Sequence, residues 1–203
     1  PGSVLALTAG RTTEGLYALL GDMCRRGELS FREAKIFAVT EYVGGEEADS
    51  CRSILKRQLI DHTDLPEGNF FVPREQEPEK YDGLIEAAGG IDLCILGIGI
   101  NGHIGYNEPA TAFDSLTHIQ KLTDATHRQY SGGERHLTEY ALTMGIKTIV
   151  SSREIFLLAS GPEKADAVFK MIYGRTDSYI PAAFLQIPLE VTVCADPAAA
   201  AKL

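Results

Sequence analysis

The sequence predicts an α/β fold in three layers, α/β/α, with a mostly parallel sheet at its centre. Three observations predict it. Short apolar runs alternate with amphipathic stretches along almost the whole chain, the pattern of successive β-α units. The run Ile91-Asp-Leu-Cys-Ile-Leu96 reads as a buried strand and leads into a glycine-rich loop. With 203 residues, 44% hydrophobic and 23% charged, the chain is long enough for one domain with a substantial core.

The elements follow from hydrophobic period. Val4–Leu7 reads as a strand, then Glu14–Arg26 as a helix with Leu16, Leu19, Leu20 and Met23 on one face. Lys35–Val39 is a strand, Ala48–Ile60 a helix, Asn69–Val72 a strand and Glu79–Ala88 a short helix. After Ile91–Leu96, candidate strands cover His118–Leu122 and Tyr140–Met144. Glu154–Leu158 is a strand, Glu163–Tyr173 a helix and Val191–Cys194 the last strand, with a helical tail at Ala198–Ala201. One domain is expected over residues 1–203. Its abrupt start predicts that an N-terminal strand and helix are missing, or that Pro1-Gly-Ser3 is an engineered scar.

The net charge of -9 argues against a general nucleic-acid surface. No apolar run is long enough to span a bilayer, and no signal-peptide pattern opens the chain. Cys24, Cys51, Cys94 and Cys194 form no C-x-x-C pair. Cys94 and Cys194 sit in apolar strands and are expected in the core. Reduced thiols and a cytoplasmic location are therefore expected.

The loop Gly97-Ile-Gly-Ile-Asn-Gly-His-Ile-Gly-Tyr-Asn-Glu-Pro109 carries the strongest functional signal. Loops at the carboxyl end of a strand are where open α/β sheets bind ligands. His103 is a potential base there, and Glu108 a carboxylate able to hold it. Gly97, Gly99 and Gly102 satisfy G-x-G-x-x-G. That motif means dinucleotide binding only where a helix opens at the third glycine. Gly105, Asn107 and Pro109 follow instead, so no such cofactor is expected.

Three further segments carry chemistry. Thr8-Ala-Gly-Arg-Thr-Thr-Glu14 joins the first strand to the first helix. Gly10, Arg11 and Thr12 at a helix start make a phosphate cradle or, in the plainer reading, a β-α turn with a threonine cap. Ser160-Gly-Pro-Glu-Lys164 fits a capping box of Ser160 and Glu163. Lys164 opposes the helix dipole there, a conflict that a bound anion removes; the alternative is an exposed, solvated lysine. Val39-Thr-Glu-Tyr-Val-Gly44 places Thr40 and Glu41 near the same rim.

With these segments the chain resembles the glucosamine-6-phosphate deaminase (isomerase) family and the related galactosamine-6-phosphate deaminase/isomerases, from Val4 to Ala195. Supporting pieces are Glu14-Gly-Leu-Tyr17, Ala141-Leu-Thr-Met-Gly-Ile-Lys-Thr148 and Pro181-Ala-Ala-Phe-Leu185. The 6-phosphogluconolactonases share the fold but match the long glycine motif less well. The resemblance implies a Rossmann-like fold of the sugar-phosphate isomerase type and an amino-sugar 6-phosphate as small-molecule substrate. It implies ring opening, proton transfer between C2 and C1 and release of ammonia, with no metal or organic cofactor. It gives His103 the ring-opening proton, Glu108 the orienting role and Asn101 a place beside them. It puts phosphate on Ala9, Gly10, Arg11, Thr12 and Lys164, with Gly99 close to the substrate. Monomer and homo-oligomer both remain open.

Two departures matter. The C2 proton acceptor of the family is an Asp where this chain has Thr40. A hydroxyl does not replace a carboxylate as base near neutral pH without an activator. Glu41 is adjacent, but neighbours on a strand point to opposite faces. A phosphate-binding arginine of many relatives falls near Gly132, so Arg11, Arg128 or Arg135 is expected to supply the charge. His62, His127 and His136 read as surface residues, and no allosteric role is expected at His118. The alternatives are a galactosamine-6-phosphate enzyme, a weakly active or non-catalytic sugar-phosphate binder and, less favoured, a 6-phosphogluconolactonase.

Overall fold

The computed structural model describes all residues except Pro1, Gly45, residues 131–137 and Leu189, together with the side chains of Gln129 and Tyr130. In chain order its regular elements are β1 (Val4–Leu7), α1 (Glu14–Arg25), β2 (Lys35–Ala38), β3 (Thr40–Tyr42), α2 (Cys51–Gln58), β4 (Phe70–Phe71) and α3 (Glu79–Ala87). There follow β5 (Leu93–Gly97), β6 (His118–Lys121), α4 (Asp124–Tyr130), β7 (Tyr140–Thr143), α5 (Ile146–Val150), β8 (Glu154–Ala159), α6 (Ala165–Tyr173) and β9 (Val191–Ala195).

Six strands form a parallel sheet in the order β4-β2-β1-β5-β8-β9. Its two faces bury separate apolar layers. Ile36 and Ala38 pack with Tyr17 and Leu55 on one side, while Phe37 and Val39 pack with Leu96 and Leu157 on the other. This is the parity of an extended chain covered on both faces. From β1 the strand order runs outward in opposite directions, so the carboxyl ends of β1 and β5, paired at Leu7 and Ile95, mark the switch point. Loops that diverge at such a point leave a crevice for a ligand.

A second sheet departs from the predicted plan. The expected strand Lys35–Val39 ends at Ala38, and the chain re-enters extended structure as β3. There it joins β7 and β6 in an antiparallel sheet, order β3-β7-β6. Val39 is the stitch: its amide donates to Leu7 O (2.9 Å), and its carbonyl accepts from Met144 N (2.8 Å).

Other expectations also change. The helix expected over Ala48–Ile60 is α2 flanked by single 3-10 turns, and that over Glu163–Tyr173 is a 3-10 turn followed by α6. The inward face of α1 centres on Tyr17 and Gly21, and Leu19 is exposed. Ala198–Ala201 forms hydrogen-bonded turns rather than a helix; four residues after a proline do not repay helix nucleation. Cys194 is exposed because β9 is an edge strand, whereas Cys94 is fully buried. Among the described residues no helix is long and apolar enough to cross a membrane.

Candidate active site

The chain leaving the carboxyl ends of β1, β2, β5 and β8 encloses a cavity of about 580 Å³, lined by residues including Gly10, Arg11, Thr40, His103, Tyr106 and Lys164. One wall is the turn after β1. Its carbonyls are held from behind: the Thr13 hydroxyl donates to Thr8 O and Gly10 O, Tyr17 OH to Thr8 O (2.9 Å) and Gln58 Nε2 to Gly10 O (3.3 Å). Ala9, Gly10, Arg11 and Thr12 are left to line the cavity. Thr13, not Thr12, is the cap residue of α1, and its side chain makes no capping bond.

Ser160, Glu163 and Lys164 line the same cavity after β8. The expected capping box is absent. Ser160 Oγ and Gly161 N both donate to Asp196 Oδ2 (2.6 and 3.0 Å), and Gly161 adopts φ 96°. Lys164 is 6% exposed, not solvated. It pairs with no carboxylate among the described residues. Burial pushes its ammonium down to about 8; Glu163 opposes that shift, and the Arg11 charge adds to it. A buried lysine beside an arginine, at one end of a cavity, is a site that gains from an anion.

The facing wall is the glycine loop. No helix follows Gly102; the loop closes through Gly99 N to His103 O (2.9 Å) and an Ile104–Asn107 bridge. The His103 ring lies against Gly99, where any Cβ would collide with it. Gly99 thus acts through the ring and is not itself part of the cavity wall. Gly105 has φ 56°, and a Cβ there would meet Thr143 Oγ1 at 2.7 Å.

His103 is 4% and Glu108 1% exposed, with Nδ1 of the ring 3.7 Å from Glu108 Oε2. The Thr126 hydroxyl lies between them, 3.1 Å from His103 Nδ1 and 2.5 Å from Glu108 Oε1. Glu108 also accepts from Asn101 Nδ2 (2.7 Å), Thr123 N (3.1 Å) and Thr123 Oγ1 (3.2 Å). Burial alone would raise the Glu108 carboxyl. The His103 ring, the Thr126 hydroxyl and the Thr123 amide outweigh it and hold the group at about 2, so it is ionised and purely an acceptor.

Thr40 is buried and lines the cavity, with its hydroxyl 3.4 Å from Cys51 Sγ. Glu41 does not share that wall. Its carboxylate accepts from Cys51 N (2.8 Å), Arg52 N (3.0 Å) and Tyr42 N (2.8 Å) and so sits on the amino end of α2. An anion there satisfies free helix amides. Strand alternation separates it from Thr40.

Arg128, on α4, lines the cavity. Gly132, Arg135 and His136 lie outside the described residues. His62 is exposed and His127 half-buried, and neither reaches the cavity. His118 contacts Leu116 O and Gln120, away from His103. Thr123, Thr126 and Tyr106 escaped the sequence reading. The one available signal was Thr123-Asp-Ala-Thr, an N-cap pattern opening α4, where Thr126 N donates to Thr123 Oγ1.

Comparison with known proteins shows the family. The family model described as glucosamine-6-phosphate isomerases/6-phosphogluconolactonase matches residues 3–193. A protein of Halalkalibacterium halodurans named glucosamine-6-phosphate deaminase is 41% identical, with all of this chain and 87% of that protein aligned. A Clostridium botulinum protein of the same name is 38% identical, with 100% and 88% aligned. A solved structure described as a monomeric glucosamine-6-phosphate deaminase superposes with a TM-score of 0.94 at 35% identity, covering 99% of this chain and 88% of that one. A 6-phosphogluconolactonase from Thermotoga maritima has a TM-score of 0.74 at 21% identity, over 95% and 84% of the two chains, and shares the fold.

Proposed function

We propose, for a chain that belongs to the glucosamine-6-phosphate isomerase/6-phosphogluconolactonase family, that it is an enzyme converting glucosamine 6-phosphate and water to fructose 6-phosphate and ammonia. The observation that carries the reading is the cavity's polarity. Lys164 and Arg11 stand at one end and the buried His103 on the facing wall. A phosphorylated sugar anchored by its anion presents its ring to the imidazole.

Phosphate binding and ring opening fall to named groups. The phosphate sits against the Gly10 turn, Arg11 and Lys164, where it also relieves the desolvation of the ammonium. His103 takes the proton of the C1 hydroxyl and delivers one to the ring oxygen, breaking the C1–O5 bond. The proton lost from C2, which leaves an enolamine, is the one returned at C1. Protonation at C1 gives the 2-imine, and addition of water at C2 expels ammonia. Glu108 remains ionised and stabilises the imidazolium, and Asn101 holds Glu108.

Thr40 favours a second reading, a slow deaminase or a sugar-phosphate binder, because its hydroxyl stands where relatives place a carboxylate base. The galacto epimer is the alternative substrate. A cytoplasmic location belongs to the same proposal and rests on the four free thiols. The test is ammonia and ketose release from glucosamine and galactosamine 6-phosphates, beside hydrolysis of 6-phosphogluconolactone. Ammonia release supports the reading. Lactone hydrolysis without ammonia, or binding without turnover of either amine, overturns it.

A further inference from the structure

We infer that Thr126 is a positioning residue that sets the tautomer of His103, placing the proton on Nδ1 and leaving Nε2 free as the base that faces the cavity. The number of available protons decides it. A threonine hydroxyl has one hydrogen to donate and two lone pairs to accept with. Thr126 Oγ1 is buried between two groups, Glu108 Oε1 at 2.5 Å and His103 Nδ1 at 3.1 Å. The carboxylate is ionised and only accepts, so the shorter contact takes the Thr126 proton. The contact to His103 then has no hydrogen from the threonine side. It is a hydrogen bond only if Nδ1–H donates, and a neutral imidazole protonated at Nδ1 is bare at Nε2.

The direct alternative is weaker. The ring and the carboxylate are 3.7 Å apart, beyond a good hydrogen bond. The hydroxyl therefore carries the coupling between them. Two further bonds fix its place. Thr126 N donates to Thr123 Oγ1 (3.3 Å), and that hydroxyl reaches Glu108 Oε2 (3.2 Å). The first turn of α4 is thereby tied to the carboxylate it serves, and the Thr126 hydroxyl has a third neighbour in Thr123 Oγ1 at 3.3 Å, against its second lone pair.

The test has two arms. Nitrogen-15 NMR of the His103 ring, at a pH where it is neutral, reads the tautomer without any turnover. The expected result is Nδ1–H in the unmodified protein and in Thr126→Ser, and loss of that preference in Thr126→Val. The kinetic arm rests on the deaminase reading. There Thr126→Val lowers kcat by about ten- to a hundredfold, the usual cost of removing a partner that orients an imidazole, leaves KM unchanged, and Thr126→Ser restores the rate. An Nε2–H ring in the unmodified protein, or a Val variant with native tautomer and native kcat, overturns the inference. If the protein releases no ammonia but the tautomer switches as expected, the deaminase reading fails and this inference stands. The unmodified protein alone decides the tautomer even if the Val variant does not fold.

Discussion

The two ends of the cavity are built on different principles. The end proposed to hold the anion is made of main chain and cations. The turn after β1 is braced from behind by hydroxyl and amide side chains, and exposed Arg11 and buried Lys164 face it. The proton-transfer end is a closed side-chain network in which His103, Thr126, Glu108 and Asn101 have fixed partners. A charged end recognises its ligand through field and backbone, and several cations can share the task. A proton-transfer end depends on one hydrogen in one place. Substitutions at the first should weaken binding, and substitutions at the second should slow chemistry.

The largest effect that sharpens this contrast is at His103. His103→Ala is expected to lower kcat by about a hundred- to ten-thousandfold, with KM close to native, because general acid-base catalysis is typically worth that much. A variant that loses affinity while keeping kcat would break the division between the ends. Thr40→Asp is next. It is expected to raise kcat by up to about a hundredfold by restoring a carboxylate base, with little change in KM. No gain in steady-state ammonia release would mean that another group already takes the C2 proton.

At the anion end, Lys164→Ala is expected to raise KM for the phosphorylated substrate by about ten- to a hundredfold, the worth of one charge-assisted hydrogen bond. The pH dependence has a definite sign. The Lys164 ammonium loses its proton near 8 in the unliganded protein, below the ordinary lysine value. KM should therefore climb as pH rises through that value, and the climb should vanish in Lys164→Arg, which stays charged. The folded state disfavours the charged lysine, so its cost to stability is full below about 8. That cost is relieved as pH rises from there to the unfolded value of about 10.4. A KM flat in pH for the native protein would remove Lys164 from the anion site. The smallest effect is at Glu41. Glu41→Gln should cost about 0.5–1 kcal/mol of stability by weakening the charge on the α2 terminus, with kcat unchanged; a fall in turnover at full stability would make it part of the proton machinery.

The parallel sheet was legible because its strands are short apolar runs separated by amphipathic helices, and covered strands keep that signature whatever their neighbours. In the second sheet β6 and β7 were legible as strands, but β3 was not. Lys35 to Tyr42 is one extended stretch in sequence, and only the pairing of Val39 with both Leu7 and Met144 splits it. The anion end was readable from Gly10, Arg11 and Lys164, since helix termini and stranded cations declare themselves locally. Local sequence nonetheless favours Lys164 on the surface, because burial comes from the fold around it. His103 and Glu108 were readable as chemistry, but the bridging Thr126 was not. Nothing in a threonine near Asp124 signals that it will meet a histidine 23 positions earlier in the chain.

The stitch at Val39 also bears on how the protein reaches its native state. β3 finds its partner in β7, with Thr40 opposite Thr143, about a hundred positions along the chain. Contacts of that separation close slowly, since loop entropy must be spent before they repay it. The pairing of β1 with β2, Leu5 opposite Ile36, relies on a nearer contact. The wall holding Thr40 is therefore expected to be among the last parts of the molecule to assemble, after the anion turn at Gly10 is in place. Pulse-labelling hydrogen exchange during refolding should show amides of β1 and β2 protected before those of β3 and β7.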